Sequence, residues 1–205
     1  MTLAGASGQV VTVNFASADG SASALPVFAG SDYASNSGTL TFNPGETSKT
    51  IDVTVNPDTI SESNETFTVE LSSAVNAAIA VSPGTGTILN DDAVPSISIG
   101  DVSQAEGNAG FNNAIFFPVT LSAPSGQTVS VTFTTADGSA LAGSDYTARS
   151  FVLTFNPGFV TQNVFVQVLG DTVTEPTETF VGNLTLPTNA TLLDAQGTAS
   201  LVNDD

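Results

Sequence analysis

The sequence predicts an all-β protein made of tandem antiparallel β-sandwiches. Three observations carry this. Short segments alternate apolar and polar residues with period two, the pattern of half-buried strands. Turn chemistry such as Asp19-Gly20 and Asn43-Pro44-Gly45-Glu46 separates them. An ordered set of motifs recurs 113 residues further on.

Taken in order, residues 10–15 alternate Val, Thr and Phe with polar positions. Residues 38–43 follow, then the Asn-Pro-Gly-Glu turn, then an expected strand over 49–55. Residues 66–71 and 85–89 complete the first set. Gly30-Ser31-Asp32-Tyr33 recurs as Gly143-Ser144-Asp145-Tyr146, and Phe42-Asn43-Pro44-Gly45 as Phe155-Asn156-Pro157-Gly158. Asp58, Glu62 and Glu65 recur as Asp171, Glu175 and Glu178, and Asn90-Asp91-Asp92 as Asn203-Asp204-Asp205. Upstream, Asp19-Gly20-Ser21-Ala22 matches Asp137-Gly138-Ser139-Ala140 at an offset of 118, so repeat 1 carries an insertion near residues 25–29. A unit of about 110 residues with roughly seven strands has the size of an immunoglobulin-like sandwich. The expected domains are 1–92 and 93–205. Repeat 2 opens with a strand over 95–100, the stretch Gln104-Ala105-Glu106-Gly107, and a strand near 115–121. Repeat 1 begins at the counterpart of Thr120-Leu121, so it lacks the first strand and most of the second. Two explanations stay open: a piece of a longer array, or a strand supplied by a neighbouring chain. Phe116, Phe117, Phe151, Phe155, Phe165 and Phe180 are expected in the core of repeat 2, with Tyr33 and Tyr146 packing beside the acidic end.

Composition narrows the function. Among 205 residues there are 20 Asp+Glu against 2 Lys+Arg, a formal charge of −18, and no His, Cys or Trp. No basic face exists for nucleic acid or an anionic membrane. Thiolate, zinc-finger and Ser-His-Asp chemistry are excluded. No apolar run reaches the ~18 residues of a membrane helix. Hydrophobic residues at 40% with only 11% charged argue for a packed fold despite the net charge.

Strand counting brings the acids together. In repeat 1, Asp32 precedes one strand, the next returns to the same end and delivers Asp58, Glu62 and Glu65, and the last delivers Asp91 and Asp92. In repeat 2 the same end holds Asp145, Asp171, Glu175, Glu178, Asp204 and Asp205, with Glu106 two strands earlier. Like charges ~4 Å apart repel by a few kcal/mol at an effective dielectric near 20, so a compensating cation is expected. Carboxylates and carbonyls are hard oxygen ligands suited to Ca²⁺. The alternative is a solvated acidic rim. A glycosidase-like pairing of Glu62 with Glu65, or Glu175 with Glu178, lacks aromatic platforms: there are only 2 Tyr and no Trp. The protein is therefore expected not to be an enzyme.

The ordered motifs Asp-Gly-Ser-Ala, Gly-Ser-Asp-Tyr, Phe-Asn-Pro-Gly, Asp-Thr-Ile-x-Glu-x-x-Glu-Thr-Phe and Asn-Asp-Asp resemble the Calx-beta domain. That is the calcium-binding sandwich of sodium–calcium exchangers and integrin β4, also common in large bacterial surface proteins. The resemblance spans nearly the whole chain, as one truncated and one full copy. It implies metal ligands at Asp32, Asp58, Glu62, Glu65, Asp91 and Asp92 in the first copy. In the second it implies Glu106, Asp145, Asp171, Glu175, Glu178, Asp204 and Asp205. The carbonyls of Ile60 and Val173 would add to each set. Two departures stand out. Pro57 and Gly170 precede a single Asp where the exchanger has consecutive Asp, and Asn90 and Asn203 open the terminal run. The expected function is a calcium-stiffened spacer or adhesion segment of an extracellular bacterial surface protein or filament. Its partners would be neighbouring repeats, other copies, or a surface or matrix target. The alternative is a filament subunit assembled by strand donation, with calcium incidental.

Overall fold

The computed structural model describes residues 1–25, 30–108 and 112–205. Residues 26–29, which hold most of the insertion expected in repeat 1, lie outside these. The chain divides into two compact units, Met1–Asp91 and Asp92–Asp205. No helix occurs among the described residues.

Unit 1 contains β1 (Val11–Asp19), β2 (Ser37–Phe42), β3 (Glu65–Val75) and β4 (Gly84–Ile88), joined in one antiparallel sheet of order β2-β1-β3-β4. Period-two alternation turns Val11, Val13 and Phe42 inward. Phe67 packs with Tyr33 and Ala22 in a second small cluster. Residues 49–55, expected as a strand, do not form a ladder. Only isolated bridges touch this stretch, Thr2↔Ser48 at its start and Tyr33↔Val55 at its end. The reason is partnership: a strand is stabilised by a neighbour's hydrogen bonds, and of the neighbour found in unit 2 only Met1–Leu3 have a counterpart here among the described residues.

Unit 2 contains β5 (Ser96–Ile99), β6 (Val102–Ala105), β7 (Asn112–Leu121), β8 (Val129–Asp137), β9 (Ser150–Phe155), β10 (Thr161–Leu169), β11 (Glu178–Thr188), β12 (Thr191–Asp194) and β13 (Gln196–Val202). One sheet has the order β10-β7-β5-β12 and the other β6-β13-β11-β8-β9. The opening segment switches sheets: β5 lies in the first, and after Gly100 and Asp101 the chain enters the second as β6. There it runs parallel to β13, and Asp101 Oδ1 accepts the Thr198 amide at 2.7 Å to fix the crossing. A second parallel pair joins β12 to β5.

The core of unit 2 lies between these sheets. Ile97, Ile99, Ile115, Phe117, Val164 and Val166 meet Val129, Val131, Phe133, Phe155, Phe180 and Leu184. Phe116 and Phe165 are corrections to the expected core, 54% and 44% exposed. Each follows from alternation: Phe117 points inward, so Phe116 points out, and Phe165 lies between inward Val164 and Val166. They face each other across the register, and the Arg149 guanidinium lies 4.2 Å from the Phe165 ring centre.

Candidate metal centre

In unit 1, Asp32 leads into Tyr33, and Glu65 is the first residue of β3. Glu62 lies in the loop before it. One carboxylate oxygen of each falls within 4.8 Å of the others. Asp32 is held in place because its Oδ2 accepts the Ser23 amide at 2.6 Å. The terminal run is tied to this loop through Asn90, whose Oδ1 accepts the Glu62 amide at 2.8 Å and whose amide donates to Asn64 Oδ1 at 3.0 Å. Asp58 Oδ1 caps the Ile60 amide at 2.6 Å. Burial pushes the Glu65 carboxyl up to about 7, helped by the adjacent Asp32, Glu62 and Asp58 charges.

Unit 2 has two such groups. Asp145, Glu175 and Glu178 repeat the unit 1 trio with the same 4.8 Å closeness. Asp145 Oδ2 accepts the Leu141 amide at 2.6 Å, as Asp32 does for Ser23. Burial, then Asp145 and Glu175, raises the Glu178 carboxyl above the ordinary glutamate value. The second group is Glu106, Asp171 and Asp205. Glu106 is 7% exposed, and burial followed by Asp171 and its acidic neighbours raises its carboxyl too. Its Oε1 is buried with no hydrogen-bond partner. A buried polar atom left unsatisfied costs about 1–3 kcal/mol, more if charged.

This second group explains one sequence departure. A Cβ on Gly170 would fall 1.6 Å from the Gly107 carbonyl oxygen. Only glycine admits the Glu106–Gly107 backbone at this point. Pro57 is tolerated at the equivalent place in unit 1, where no Glu106 loop lies against it. The Gly107 amide donates to Asp204 Oδ1 at 2.9 Å, closing the group from the terminal run. Sequence reasoning located Glu106 but not the role of Gly170, for which the Gly/Pro difference between the repeats was the only signal.

The remaining expected ligands lie outside the three groups. Asp58, Asp91, Asp92 and Asp204 join none of them among the described residues. Asp58 and Asp204 still act on them as nearby charges. The Val173 carbonyl accepts the Asn203 side-chain amide at 3.2 Å, and the Val173 amide donates to Asp171 Oδ1 at 2.6 Å. Asn90 and Asn203 thus stitch the terminal runs to the acidic loops, a role the spacing did not reveal.

The donor set is all oxygen. Carboxylate oxygens 4.8 Å apart or closer fit opposite positions around an ion with Ca–O distances of about 2.3–2.6 Å. Neither cationic side chain is available to neutralise them. Lys49 Nζ lies 3.0 Å from Glu46 Oε2, and Arg149 is stacked over Phe151 and Phe165.

The sequence profile of the Calx-beta domain matches residues 2–94 and 97–205. The chain belongs to the Calx-beta family, as two tandem copies. Among relatives, extracellular matrix protein 3 of Lytechinus variegatus is 30% identical over 87% of this chain. Extracellular matrix organizing protein FRAS1 of Mus musculus and adhesion G-protein coupled receptor V1 of Danio rerio are each 28% identical over 83% of it. The chain spans only 6%, 4% and 3% of those three proteins' lengths. Among solved structures, the apo form of the Calx CBD1 domain is 26% identical and covers 54% of this chain and 99% of its own, with a TM-score of 0.47. The calcium binding domain CBD12 of CALX1.1 is 19% identical and covers 97% and 90%, with a TM-score of 0.44. No helix among the described residues is long and apolar enough to cross a membrane.

Proposed function

We propose that this chain is a calcium-binding, non-catalytic repeat segment of a longer extracellular protein, acting as a spacer or adhesion module stiffened by the ion. The observation that carries the reading is Glu106 Oε1, buried and unpartnered beside Asp171 and Asp205. A carboxylate kept out of water without a donor calls for a cation. Asp32, Glu62 and Glu65 would hold an ion in unit 1. Asp145, Glu175 and Glu178, and separately Glu106, Asp171 and Asp205, would hold ions in unit 2. The ion would supply charge neutralisation at each cluster, and binding free energy would add to domain stability. Relatives that are matrix and adhesion proteins support the extracellular setting. The acidic, lysine-poor composition suits export and persistence outside a cell.

The test is a thermal melt in EDTA, millimolar calcium and millimolar magnesium, with calorimetric titration beside it. Calcium should raise the melting temperature by several degrees and magnesium much less. Asp171→Ala/Glu175→Ala should remove most of the unit 2 binding heat. Glu106→Gln should remove one binding step and leave the rest. No calcium-specific shift would leave an acidic rim and overturn the reading.

A further inference from the structure

In a chain of 20 carboxylates, residues 146–170 hold none, and neither do residues 107–136. These two stretches supply β7, β8, β9 and β10. The counterpart of residues 146–170 in unit 1 is residues 33–57, which carry Glu46 and Asp52. In unit 2 both acids are phenylalanine. Phe159 stands for Glu46 and Phe165 for Asp52, and they are 59% and 44% exposed. Arg149 stands for Asn36 and Phe151 for Gly38. The sandwich does not require these changes. Unit 1 closes the same edge with the Asn36 side-chain amide, which donates to Asp52 O at 2.6 Å. Unit 2 closes it with the Arg149 guanidinium, 5.2 Å from the Phe151 ring centre and 4.2 Å from that of Phe165.

Alternation gathers the rest of the face. Val164 and Val166 point into the core, so Asn163 and Phe165 share the outer side of β10. Phe117 and Val119 point inward on β7, so Phe116, Pro118 and Thr120 share its outer side. The register sets Phe165 opposite Phe116, Asn163 opposite Pro118 and Thr161 opposite Thr120. Opposed side chains start about 5 Å apart. Phe116, Phe165 and the guanidinium therefore form one row across the strands, flanked by an amide and two hydroxyls.

The size and charge of this face select its ligand. Two half-exposed phenyls offer roughly 200 Å² of apolar surface. A stable protein interface buries about 800 Å² on each partner. A pyranose suits the smaller area: its C–H face lies on the negative face of an aromatic ring, and its hydroxyls reach Asn163, Thr161 and Thr120. Arg149 has no carboxylate within ion-pair distance among the described residues. Asp137, two residues past Thr135, which bonds the Arg149 backbone, is held by the Tyr146 hydroxyl and the Ala142 amide. Along the face, Asp171 lies six residues beyond Phe165, about 20 Å. Asp194 lies on β12, three strands from β10, about 14 Å. Both separations exceed the Debye length of about 8 Å at physiological salt. The face is thus locally cationic on a molecule of charge −18. A guanidinium is a planar fork that matches a carboxylate through two parallel hydrogen bonds.

We propose that the outer face of β7 and β10, with Arg149 at its rim, binds an acidic saccharide. Its ring packs on Phe116 and Phe165, and its carboxylate pairs with Arg149. The site is independent of the acidic groups.

The probe is a trimer of galacturonic acid, added to the full chain in millimolar calcium and again in EDTA. Its methyl ester keeps the rings and removes the charge. NMR titration should show saturable shifts at the Phe116 and Phe165 rings and the Arg149 Nε–H in both buffers, with residues 33–57 unmoved. The ester should bind about tenfold more weakly or worse, and so should Arg149→Gln, as expected for loss of a charge-assisted pair. Phe165→Asp, which restores the unit 1 residue, should abolish binding. Phe116→Ser on the neighbouring strand should do the same, and thermal melts confirm that both variants fold. Equal binding of the ester, or equal shifts with a glutamate-rich peptide of the same charge, overturns the assignment. So do shifts that appear only with calcium and centre on the acidic groups, and so does a titration that leaves both rings unmoved.

Discussion

The Tyr146 hydroxyl donates to Asp137 Oδ1 at 2.6 Å while its ring stacks on Phe180 with centres 4.0 Å apart. Unit 1 repeats this with Tyr33, Asp19 and Phe67, at 2.6 Å and 4.8 Å. The tyrosine follows the aspartate of Gly-Ser-Asp-Tyr, so the bond clamps Asp145, a member of the acidic group, to the turn that begins at Asp137. The same carboxylate accepts the Ala142 amide at 2.9 Å. The tyrosine bond, then that amide, holds the Asp137 carboxyl below the ordinary aspartate value.

Tyr146→Phe should therefore lower the melting temperature of unit 2 by a few degrees, since the ring keeps its packing but the hydroxyl's bond to the carboxylate is lost. The depressed aspartate contributes stability above its unfolded-state pKa and loses it as pH falls through the lower folded value. The variant should thus lose less stability than the wild type on acid titration, so that the difference between the two shrinks as pH falls below the ordinary aspartate value. Denaturant melts from pH 2 to 6 check this. Superimposable acid limbs would show that the bond does not set the titration.

Glu65 titrates near 7, chiefly from burial and then from Asp32. A carboxyl whose folded pKa is raised holds its proton longer in the native state. Stability without metal therefore falls as pH rises from the ordinary glutamate value through about 7. Melts in EDTA between pH 4.5 and 8 should decline across that window, and saturating calcium should flatten the decline. Glu65→Gln should flatten the unit 1 part in EDTA and remove its calcium response. A melting temperature that climbs through the same window would contradict the clustering.

Gly138 turns the chain out of β8, where the Ala140 amide donates to Thr179 O at 2.9 Å. A Cβ on Gly138 would lie 2.3 Å from that same oxygen, and on Gly20 2.4 Å from Thr66 O. Backbone on both sides leaves little room to relax. Gly138→Ala should cost about 2 kcal/mol, in the range of overpacked sites. Gly8→Ala is the control, since nothing lies within 4 Å of its added Cβ. Comparable melts for the two variants would refute the steric argument.

Much of this was legible in the sequence because period two and repetition are local facts. Residues 38–43 and 66–71 read as strands and fall, but for Asn43, within β2 and β3. The recurring Asp-Glu-Glu loop marked the acidic groups before any coordinates. What failed was pairing over long range. Residues 49–55 have the composition of a strand, but among the described residues only isolated bridges at its ends reach them. Strands β6 and β12 escaped notice because each is short, partly or wholly exposed, and joined in parallel to a distant segment. The Asp19-Gly20 and Asp137-Gly138 turns read only as turn chemistry, since a side chain that returns from a later loop leaves no trace in spacing.

The second acidic group of unit 2 joins its two extremities. Gly107 and Asp204, bonded across it, are 97 positions apart. Such contacts form late, after the entropy of closing a long loop has been met. Unit 2 has no Glu106–Asp171–Asp205 cluster until β13 docks and brings Asp205 to the others. Formation of that cluster would then report that unit 2 has closed upon itself.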